Sequence, residues 1–591
     1  MPVYPSFEPY GRAEGPFGRN VASPGAFPAF PGHANILRQG GPVPARPRPR
    51  TPARFYNPAM STRSESDGSG RSRSAFLATL ALGLPALLAL HALSFGRIPW
   101  GLESGPAVEA LRGVHLIVRR RFEVMSFAIG PTAETLWLYV MGASVELLGP
   151  RWSSVVLPSI LAAAAVVALT VLAARRIDPE TPPAIPFLIS AGSVWLFHYG
   201  QVGLRAISAP LFFLLALLLV HEGAAPAAGK RVRFAAGFIL GLSVYAYSSC
   251  RILAVAWLLF ALAGELKKPH GERGFRAALF PTLLGIAVSS IPNVLFFLRE
   301  PAEFLFRGYY VYRGGWPWKL ANVFWTALLP FYVPRFYTVW LGPGHNFDAT
   351  AVSVTSAGVH PVDPLTAVAF ACGLVLAARA ARPAGLSYLL WTLGTGLLLL
   401  GVSGPSLTRL LLLQPAIALL ASLALGRAWR GARRARPVLA AALLVPGALG
   451  FAEYAFRFGT SADAQSEYLA STNAMSARAR DLLDRDGALR VLIVARKGIA
   501  IAKFYNYRHI ERVWFVEGSP PSAEAVADGI GRFAPGVVLV ERGDAFRSVA
   551  ASLGASAGGG PFLEVRLPDR DASAPAPEPG NIRRLWVEIR R

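Results

Sequence analysis

The sequence predicts a polytopic α-helical membrane protein with about 11–13 transmembrane helices and a small C-terminal α/β domain. Three observations support this fold class: 53% of the 591 residues are hydrophobic, the mean hydropathy is +0.40, and several apolar stretches are long enough to cross a bilayer. Ala75–Phe95, Val155–Ala174 and Ala277–Phe297 each reach the roughly 20 residues that a span needs. Such apolar content exceeds what a soluble core requires, so lipid must cover the excess.

Residues 1–74 precede the first apolar segment and are rich in Pro, Gly, Ser and Arg, with no sustained hydrophobic period. A segment of this kind cannot bury enough apolar surface to fold alone, so it predicts a disordered cytoplasmic tail. A second interpretation is that Met60 is the true start and that the preceding residues are a gene-calling artefact. The apolar segment that follows lies too deep in the chain for a secretory signal peptide and is expected to remain as an anchor.

The formal net charge of +24 could indicate a nucleic-acid partner. The arginines, however, stand in short runs beside apolar segments instead of along one polar face, which indicates membrane topology. We therefore expect contact with membrane lipid and no nucleic-acid partner. The two cysteines, Cys250 and Cys372, lie far apart in or beside apolar segments, which favours packing roles over a disulfide or a metal site.

Short loops rich in Lys and Arg favour the cytoplasmic side of a membrane. Together with the basic N-terminus, these loops are predicted to lie inside: Arg175–Arg176, 230–233, 267–276, 379–382 and 427–436. The apolar segments between them then form hairpins whose opposite turns face outward. This arrangement predicts a multi-pass protein of the bacterial inner (plasma) membrane with a cytoplasmic N-terminus.

The transmembrane domain is predicted to extend over residues 75–453, with two long outer loops at 96–133 and 299–363. Ala75–Phe95 is predicted to cross outward first, so an odd number of further crossings must precede the basic loop at Arg175–Arg176. One segment, 134–149 or 183–199, is therefore expected to be re-entrant or to lie at the interface.

After the last span the pattern changes from long apolar segments to short alternating runs, which predicts an α/β domain over residues 454–591, on the periplasmic (extracytoplasmic) side. The expected strands are Arg490–Ala495, Arg512–Val516 and Gly536–Glu541, and the expected helices are Ala523–Arg532 and Ala545–Leu553. The domain contains no G-x-G-x-x-G or Walker-type loop, so we expect it to bind no nucleotide cofactor.

Acids and arginines gather at the predicted outer face, where charged groups usually mark function. They are Glu103, Glu109, Glu134, Arg205, Arg251, Arg307 and Arg409. In such a set a carboxylate can take a proton from an acceptor hydroxyl or amine while guanidinium groups hold a phosphate leaving group. Because nucleotide donors are scarce outside the membrane, the pattern favours a sugar carried on a polyprenyl phosphate.

Four runs of sequence carry a family resemblance: Glu134 with Leu136 and Tyr139, Gly203–Ile207 before Pro210, Gly241–Tyr247 with Arg251, and Pro301–Arg307. They resemble bacterial GT-C glycosyltransferases of the branch that includes protein O-mannosyltransferases and the aminoarabinose transferases of lipid A. The Tyr-x-Tyr-x-x-x-Arg run that ends at Arg251 is the most specific, and the resemblance covers roughly residues 75–450. It implies a GT-C fold and transfer of a hexosyl or pentosyl group from a lipid-phosphate sugar.

The resemblance also implies roles for single residues. Glu103 would be the catalytic base, with Glu109 and Glu134 as supporting acids. The residues expected at the donor phosphate or in the active site are Arg205, Tyr247, Arg251, Arg307 and Arg409. The outer loop 299–363 would cover this site and exclude water.

The chain departs from the family pattern at several positions. The first outer loop of the family usually carries an Asp-Glu pair, and this chain has Leu102–Glu103. Gln201–Val202 stands where Ser-Arg is frequent, and Val156 replaces the Arg of an Arg-Leu-Pro-Ser run. Some GT-C enzymes hold a divalent ion with acidic pairs, so the missing Asp favours metal independence, and we expect no cofactor.

Each candidate has a structural alternative. Arg205 and Arg251 could snorkel to lipid head groups, and Tyr245 and Tyr247 could belong to an interfacial aromatic belt. His198 and His345 lack metal-ligand spacing and are expected to be hydrogen-bonding residues.

The sequence thus favours an inverting glycosyltransferase that moves a sugar from a polyprenyl-phosphate donor to a lipid, glycan or protein acceptor. A non-catalytic GT-C relative that binds lipid-linked sugar or a partner is the first alternative, because the family Asp is missing. A lipid or solute transporter ranks third, since no internal repeat is evident and the polar residues cluster at the outer face.

Overall fold

The computed structural model describes residues 65–94, 101, 104–118, 120, 125–126, 133–224, 229–267, 275–301, 316–331, 361–379, 384–402, 406–458, 469–496, 498–518, 523–533, 535–541 and 562–566. Ala75–Arg591 forms one compact unit, and the contacts discussed below lie within it. Residues 1–64 of the predicted tail lie outside the described residues.

The described transmembrane part consists mainly of helices. Its elements are α1 (Glu65–Ser94), α2 (Ser104–Val118), β1 (Met125–Ser126), β2 (Ala133–Glu134), α3 (Leu136–Leu148), α4 (Trp152–Ile177), α5 (Ala184–Ala191), α6 (Val194–Val202), α7 (Ser208–Gly223), α8 (Lys230–Leu242), α9 (Arg251–Leu266), α10 (Phe275–Arg299), α11 (Trp316–Leu328), α12 (Pro364–Arg379), α13 (Ala384–Val402), α14 (Leu407–Leu410), α15 (Gln414–Gly431) and α16 (Arg436–Ala452). A π-helical segment, Glu453–Phe458, continues α16.

The C-terminal part alternates helices and strands. Its elements are α17 (Ala470–Arg485), β3 (Val491–Ala495), α18 (Ile499–Tyr505), β4 (Val513–Glu517), α19 (Ala523–Phe533), β5 (Val537–Glu541) and β6 (Phe562–Arg566).

Within the described residues, eight helices are long and apolar enough to cross a membrane. They contain α1, α4, α7, α9, α10, α13, α15 and α16. Two shorter helices, α3 and α12, are also apolar. The protein is therefore a multi-pass helical membrane protein with a small mixed sheet, which confirms the predicted fold class.

The ends of the helices form two groups. At one end, called here the basic end, Arg176 pairs with Glu222 at 3.3 Å and Arg430 pairs with Asp178 at 3.1 Å. These pairs tie the end of α4 to the ends of α7 and α15. The opposite end, called the site end, carries the turn with Arg205, where α6 meets α7.

Three shorter segments also connect the two ends. The pair α5–α6 leads from Asp178 to Arg205 and is interrupted at Gly192 and Ser193. Helix α8 starts at the basic end, where the Arg233 side chain donates to the carbonyl of Gly223. Helix α12 ends next to the start of α13 at the same end. The helices of these three segments are shorter than the eight helices that are long enough to cross a membrane.

Helix α3 differs from these because both of its ends lie at the site end. Glu134, just before it, pairs with Arg205, and Glu146 in its last turn accepts a hydrogen bond from Tyr507 of the C-terminal domain. Its 13 residues span about 20 Å, less than the roughly 30 Å of a hydrocarbon core. Both ends of α3 therefore lie at the site end, and the re-entrant or interfacial placement of 134–149 or 183–199 stays a prediction.

The crossing of α2 and α3 depends on glycine. A Cβ atom at Gly113 would lie 2.2 Å from the Leu138 carbonyl oxygen, and one at Gly142 would lie 2.3 Å from the Gly113 carbonyl carbon. Both contacts are with backbone, which cannot move aside as a flexible side chain can. The two glycines therefore set the distance between α2 and α3.

The C-terminal domain contains a four-stranded sheet in the order β4-β3-β5-β6. Strand β3 is parallel to β4 and β5, and β6 is antiparallel to β5. Alternate residues of β3 face two separate apolar layers: Val491 and Ile493 pack in the layer that contains α17, and Leu492 packs in the layer that contains α19. The three predicted strands and the helix at Ala523 are confirmed to within a residue at each end. The predicted helix Ala545–Leu553 lies outside the described residues.

We predict that Gly113→Ala lowers stability by about 1–3 kcal/mol, because the new methyl group would push α2 away from the α3 backbone. Thermal unfolding of the purified protein would measure the change. Gly394→Ala in α13 is the matched control, since no atom lies within 4 Å of a Cβ there and alanine favours the helix. Equal melting temperatures for Gly113→Ala and the wild type would contradict the proposed close packing.

We predict a pH-dependent contribution from Glu564. Hydrogen bonds from Arg478 at 2.8 and 3.1 Å lower the pKa of Glu564 below its usual value. The ion pair should therefore stabilise the domain above pH about 4.3, the ordinary pKa of glutamate, and lose its effect as pH falls through the lowered pKa. Wild type and Glu564→Gln should differ in melting temperature at pH 6 and converge on acidification. A melting-temperature difference that stays constant down to about pH 2, well below the ordinary pKa of glutamate, would contradict this assignment.

Candidate functional site

Arg205 lies in the turn between α6 and α7. Helix α6 ends at Gly203, whose φ of +80° lies in the left-handed region that favours glycine. The chain then forms a 3-10 turn over Arg205–Ile207 and enters α7. The Ser208 hydroxyl donates to the Arg205 carbonyl at 2.6 Å and fixes this turn. The guanidinium group is buried, with 7% of the residue exposed.

Glu109 of α2 contacts Arg205 with both carboxylate oxygens. The Arg205 backbone N–H donates to Glu109 Oε2 at 3.2 Å, and Arg205 Nε lies 3.2 Å from Glu109 Oε1. One carboxylate thus holds both the backbone and the side chain of Arg205.

Glu134, directly before α3, lies between two arginines. Its Oε2 is 3.7 Å from Arg205 Nη2, and its Oε1 is 3.7 Å from Arg251 Nη2. The side chain of Glu134 is only 2% exposed, whereas that of Arg251 is 37% exposed. The buried carboxylate therefore holds one buried and one accessible guanidinium group on the same side of the bundle.

The turn between α8 and α9 supplies the remaining groups. Tyr247 precedes a 3-10 turn at Ser248–Cys250, and its ring lies 5.8 Å from the Arg205 guanidinium carbon. An aromatic ring attracts a nearby cation, so this contact helps to hold the Arg205 guanidinium in place. Tyr245 instead points into the bundle, where its hydroxyl donates to the Ser289 carbonyl at 2.8 Å. The two tyrosines of the run thus have different positions, and Tyr247 is the one at the arginines.

Arg409 lies on α14, which packs against the Ser248–Cys250 turn that precedes Arg251. The Ser406 side chain caps α14 by accepting from the Arg409 backbone N–H. Next to it, the Thr408 and Tyr199 hydroxyls form a hydrogen bond at 2.5 Å that joins α14 to α6. Arg409 is therefore carried on the same end of the bundle as the arginine pair.

The structure brings together five of the eight predicted site residues in one cluster, called here the Arg205 cluster: Glu109, Glu134, Arg205, Tyr247 and Arg251. Glu103 and Arg307 lie outside the described residues; in the chain, Glu103 immediately precedes α2. One charged residue was not predicted: Arg112 on α2, which is only 3% exposed. Its spacing of three from Glu109 on a short helix was the available signal.

The Arg205 cluster can bind an anion. Nη1 of Arg205 is buried and has no hydrogen-bond partner among the described residues. A buried guanidinium donor without a partner is costly, and a phosphate oxygen is a strong acceptor for it. With Arg251 accessible beside it, the pair provides donors for a phosphate that approaches from the membrane face.

Gln201, which stands where the resembled family frequently has Ser, contacts the end of α1 with its side chain. Its amide nitrogen lies 2.8 Å from Ser94 Oγ, 3.1 Å from the His91 carbonyl oxygen and 2.9 Å from His91 Nδ1. These contacts hold α6 to the end of α1. Gln201 therefore takes part in helix packing behind the Arg205 turn.

Neither carboxylate of the Arg205 cluster is placed as a metal ligand, because each faces guanidinium groups. A search of the described residues finds no group of three or more His, Cys, Asp or Glu that could hold a metal ion. Metal independence stays a prediction.

In the C-terminal domain, Glu517 and Glu541 accept hydrogen bonds from the backbone N–H groups of Gly498 and Arg496 at the carboxyl ends of the strands.

No family model matches the chain, and no curated protein matches it. Among solved structures, the apo and undecaprenyl-phosphate-bound crystal structures of ArnT from Cupriavidus metallidurans each match with 14% identity and a TM-score of 0.49. The apo structure aligns over 83% of this chain and 98% of its own, and the bound structure over 82% and 97%.

The Archaeoglobus fulgidus oligosaccharyltransferase, in a complex with zinc and sulfate, matches with 14% identity and a TM-score of 0.46 over 78% of this chain and 68% of its own. Identities and scores this low assign neither a family nor an activity to the chain.

We predict that Glu134→Gln destabilises the protein by about 3 kcal/mol, because it removes the buried anion that balances two guanidinium groups. Thermal unfolding would measure the loss. The matched control is Asp528→Asn, which breaks an exposed pair with Arg532 and should cost less than about 1 kcal/mol. Equal losses for the two variants would show that the buried ion pairs do not organise the site.

Proposed function

We propose that the protein is an inverting glycosyltransferase that moves a sugar from a polyprenyl-phosphate donor to an acceptor at the outer face of the inner membrane. The observation that carries the proposal is the Arg205 cluster, in which Arg205 and Arg251 are held around Glu134 at the ends of membrane helices. The resemblance of the same residues to GT-C motifs supports it independently of that geometry.

The arginine pair suits a lipid phosphate better than a free nucleotide. Arg205 is anchored below the surface, and Arg251 is accessible. A polyprenyl chain lying in the bilayer would bring its phosphate to this depth, where a guanidinium contact is stronger than in water. Glu109 and Glu134 already balance the charges of the two arginines, so the cluster would bind the phosphate through guanidinium N–H donors. Metal independence is proposed from the missing family Asp at Leu102.

The ion pairs also favour a particular base. Glu109 uses both oxygens for Arg205, and Glu134 faces two arginines. Both acids are therefore engaged as anions that position cations, which suits them poorly as proton acceptors. We assign the base to Glu103, which immediately precedes α2 in the chain.

In the proposed reaction, the Glu103 carboxylate accepts a proton from the acceptor hydroxyl or amine. The acceptor atom attacks the anomeric carbon from the face opposite the phosphate and forms the new glycosidic bond. The bond between the anomeric carbon and the phosphate oxygen breaks, and its electron pair leaves with the polyprenyl phosphate. The charge on that phosphate increases during this step, so Arg205 and Arg251 bind the transition state more strongly than the donor.

The same proposal places the N-terminus in the cytoplasm and the C-terminal domain outside, as the basic loops favour. The donor is a hexosyl or pentosyl polyprenyl phosphate, and the acceptor is a lipid, glycan or protein. The alternative of a non-catalytic relative is favoured by Leu102, which stands in place of the family Asp. Such a relative would bind the lipid-linked sugar without transferring it.

We predict that Glu103→Gln reduces sugar transfer by about 10²–10⁴-fold, because the amide cannot accept the acceptor proton. Transfer from a panel of polyprenyl-phosphate sugars would be measured with the purified protein in lipid. Binding of undecaprenyl phosphate should persist in the variant.

The control is Glu222→Gln, which removes a carboxylate at the basic end and should leave transfer unchanged. Full transfer by Glu103→Gln would exclude this residue as the base. Donor binding by the wild type without transfer would support the non-catalytic alternative.

A further inference from the structure

Helix α2 carries Glu109 but is not among the helices long enough to span the membrane. It is held from two sides. On one side it crosses α3 at Gly113 and Gly142. On the other side it packs against α18 of the C-terminal domain. The position of Glu109 therefore depends on an element from each part of the protein.

Helix α18 belongs to two cores at once. Ile501, Phe504 and Tyr505 are buried in the same apolar cluster as Ala107 and Ala110 of α2. On its other face, Ala502 packs in the layer beneath the C-terminal sheet. The C-terminal domain is thus joined to the transmembrane part by side-chain packing as well as by the chain itself.

Polar contacts fix the angle of this packing. The Tyr507 hydroxyl donates to Glu146 Oε1 at 2.7 Å, and Arg480 Nη1 donates to the Pro150 carbonyl at 2.8 Å. Tyr505 forms a further hydrogen bond with the Trp152 backbone. Burial and the hydrogen bond to Glu146 raise the pKa of Tyr507 to about 12, so its hydroxyl stays protonated at physiological pH.

One more contact joins the C-terminal domain to the chain before α2. Gly101 is buried against the Asn473 side chain of α17, and a Cβ atom at Gly101 would lie 2.6 Å from it. Within the domain, Arg508 Nε donates to the Tyr507 hydroxyl at 3.1 Å. The same domain therefore contacts Gly101, which precedes α2, and Glu146 of α3, which crosses α2.

We propose that the C-terminal domain positions the candidate active site: α18 packs on α2, and the Tyr507–Glu146 hydrogen bond holds α3, which crosses α2, so that Glu109 keeps Arg205 in place. Tyr507 is then a positioning residue, which touches neither donor nor acceptor. The inference rests on the proposed function for its effect on transfer. It gives the C-terminal domain a role distinct from acceptor recognition.

This role makes deletion of the domain an uninformative test of acceptor recognition. Removing α18 would expose the apolar face of α2 and release Glu109 together with the domain. A single hydroxyl is a sharper probe, because Tyr507→Phe keeps the ring and its packing and removes only the hydroxyl that donates to Glu146 and accepts from Arg508.

The experiment compares wild type, Tyr507→Phe, Glu109→Gln, the double variant and Glu564→Gln in lipid nanodiscs. Glu564→Gln is the matched control, since it removes an ion pair inside the C-terminal domain away from α2. Deuterium uptake is measured in peptides that cover α2 and the Arg205 turn, where the Arg205 N–H donates to Glu109. Sugar-transfer kinetics are measured on the same samples.

We expect Tyr507→Phe to increase deuterium uptake in α2 and in the Arg205 turn by several-fold. It should lower kcat by roughly three- to tenfold and change the donor KM by less than about twofold. The charge on the phosphate is largest in the transition state, so a displaced Arg205 weakens binding of the transition state more than binding of the donor. In the Glu109→Gln background Tyr507→Phe should have no further effect on kcat. The Glu564→Gln control should match wild type in uptake and in kcat.

Unchanged uptake in Tyr507→Phe, or additive losses of kcat in the double variant, would overturn the positioning role. An equal effect of Glu564→Gln would also overturn it, since general destabilisation of the domain would then explain the result. If the wild type transfers no sugar, the proposed function fails, and deuterium uptake in the Arg205 turn alone decides whether Tyr507 positions this region.

Discussion

The burial of Arg205 between two carboxylates is the constraint on which the site end depends. A guanidinium group at membrane depth is costly unless anions balance it. Glu109 and Glu134 provide that balance from α2 and from the start of α3. The two helices must therefore lie against the Arg205 turn, and this requires the close glycine crossing between them. Arg251 is then held by the second oxygen of Glu134.

This arrangement connects the two parts of the protein. Because α2 and α3 cross at the site end, they present a surface on which the C-terminal domain packs, and α18 is buried there. A phosphate-binding group that depends on α2 therefore also depends on the domain that supports α2. In the proposed function, the ion pairs of the Arg205 cluster hold the two arginines for the donor phosphate. The proposed positioning role explains why a small α/β domain packs against the helices that carry these ion pairs.

The sequence predicted the fold class and the strands well, because apolar length and strand alternation are local signals. It also selected Arg205, Arg251 and Tyr247, which the structure places together. It could not predict which acids meet which arginines, since these contacts join residues about 100 positions apart in the chain. Arg112 was missed because a single arginine in a predicted loop resembles a solvated residue. Glu103 and Arg307 lie outside the described residues, so their roles stay predictions.

The central claim is that the arginine pair binds the phosphate of a polyprenyl lipid. The most direct test is the affinity of the purified protein for undecaprenyl phosphate, measured for wild type, Arg251→Gln and Arg151→Gln. Arg151 is the control because it is exposed at the same end of the bundle, directly before α4. The account predicts about tenfold weaker binding for Arg251→Gln, near 1.4 kcal/mol, and no change for Arg151→Gln. Equal affinities for all three proteins, or equal binding of uncharged undecaprenol, would contradict it.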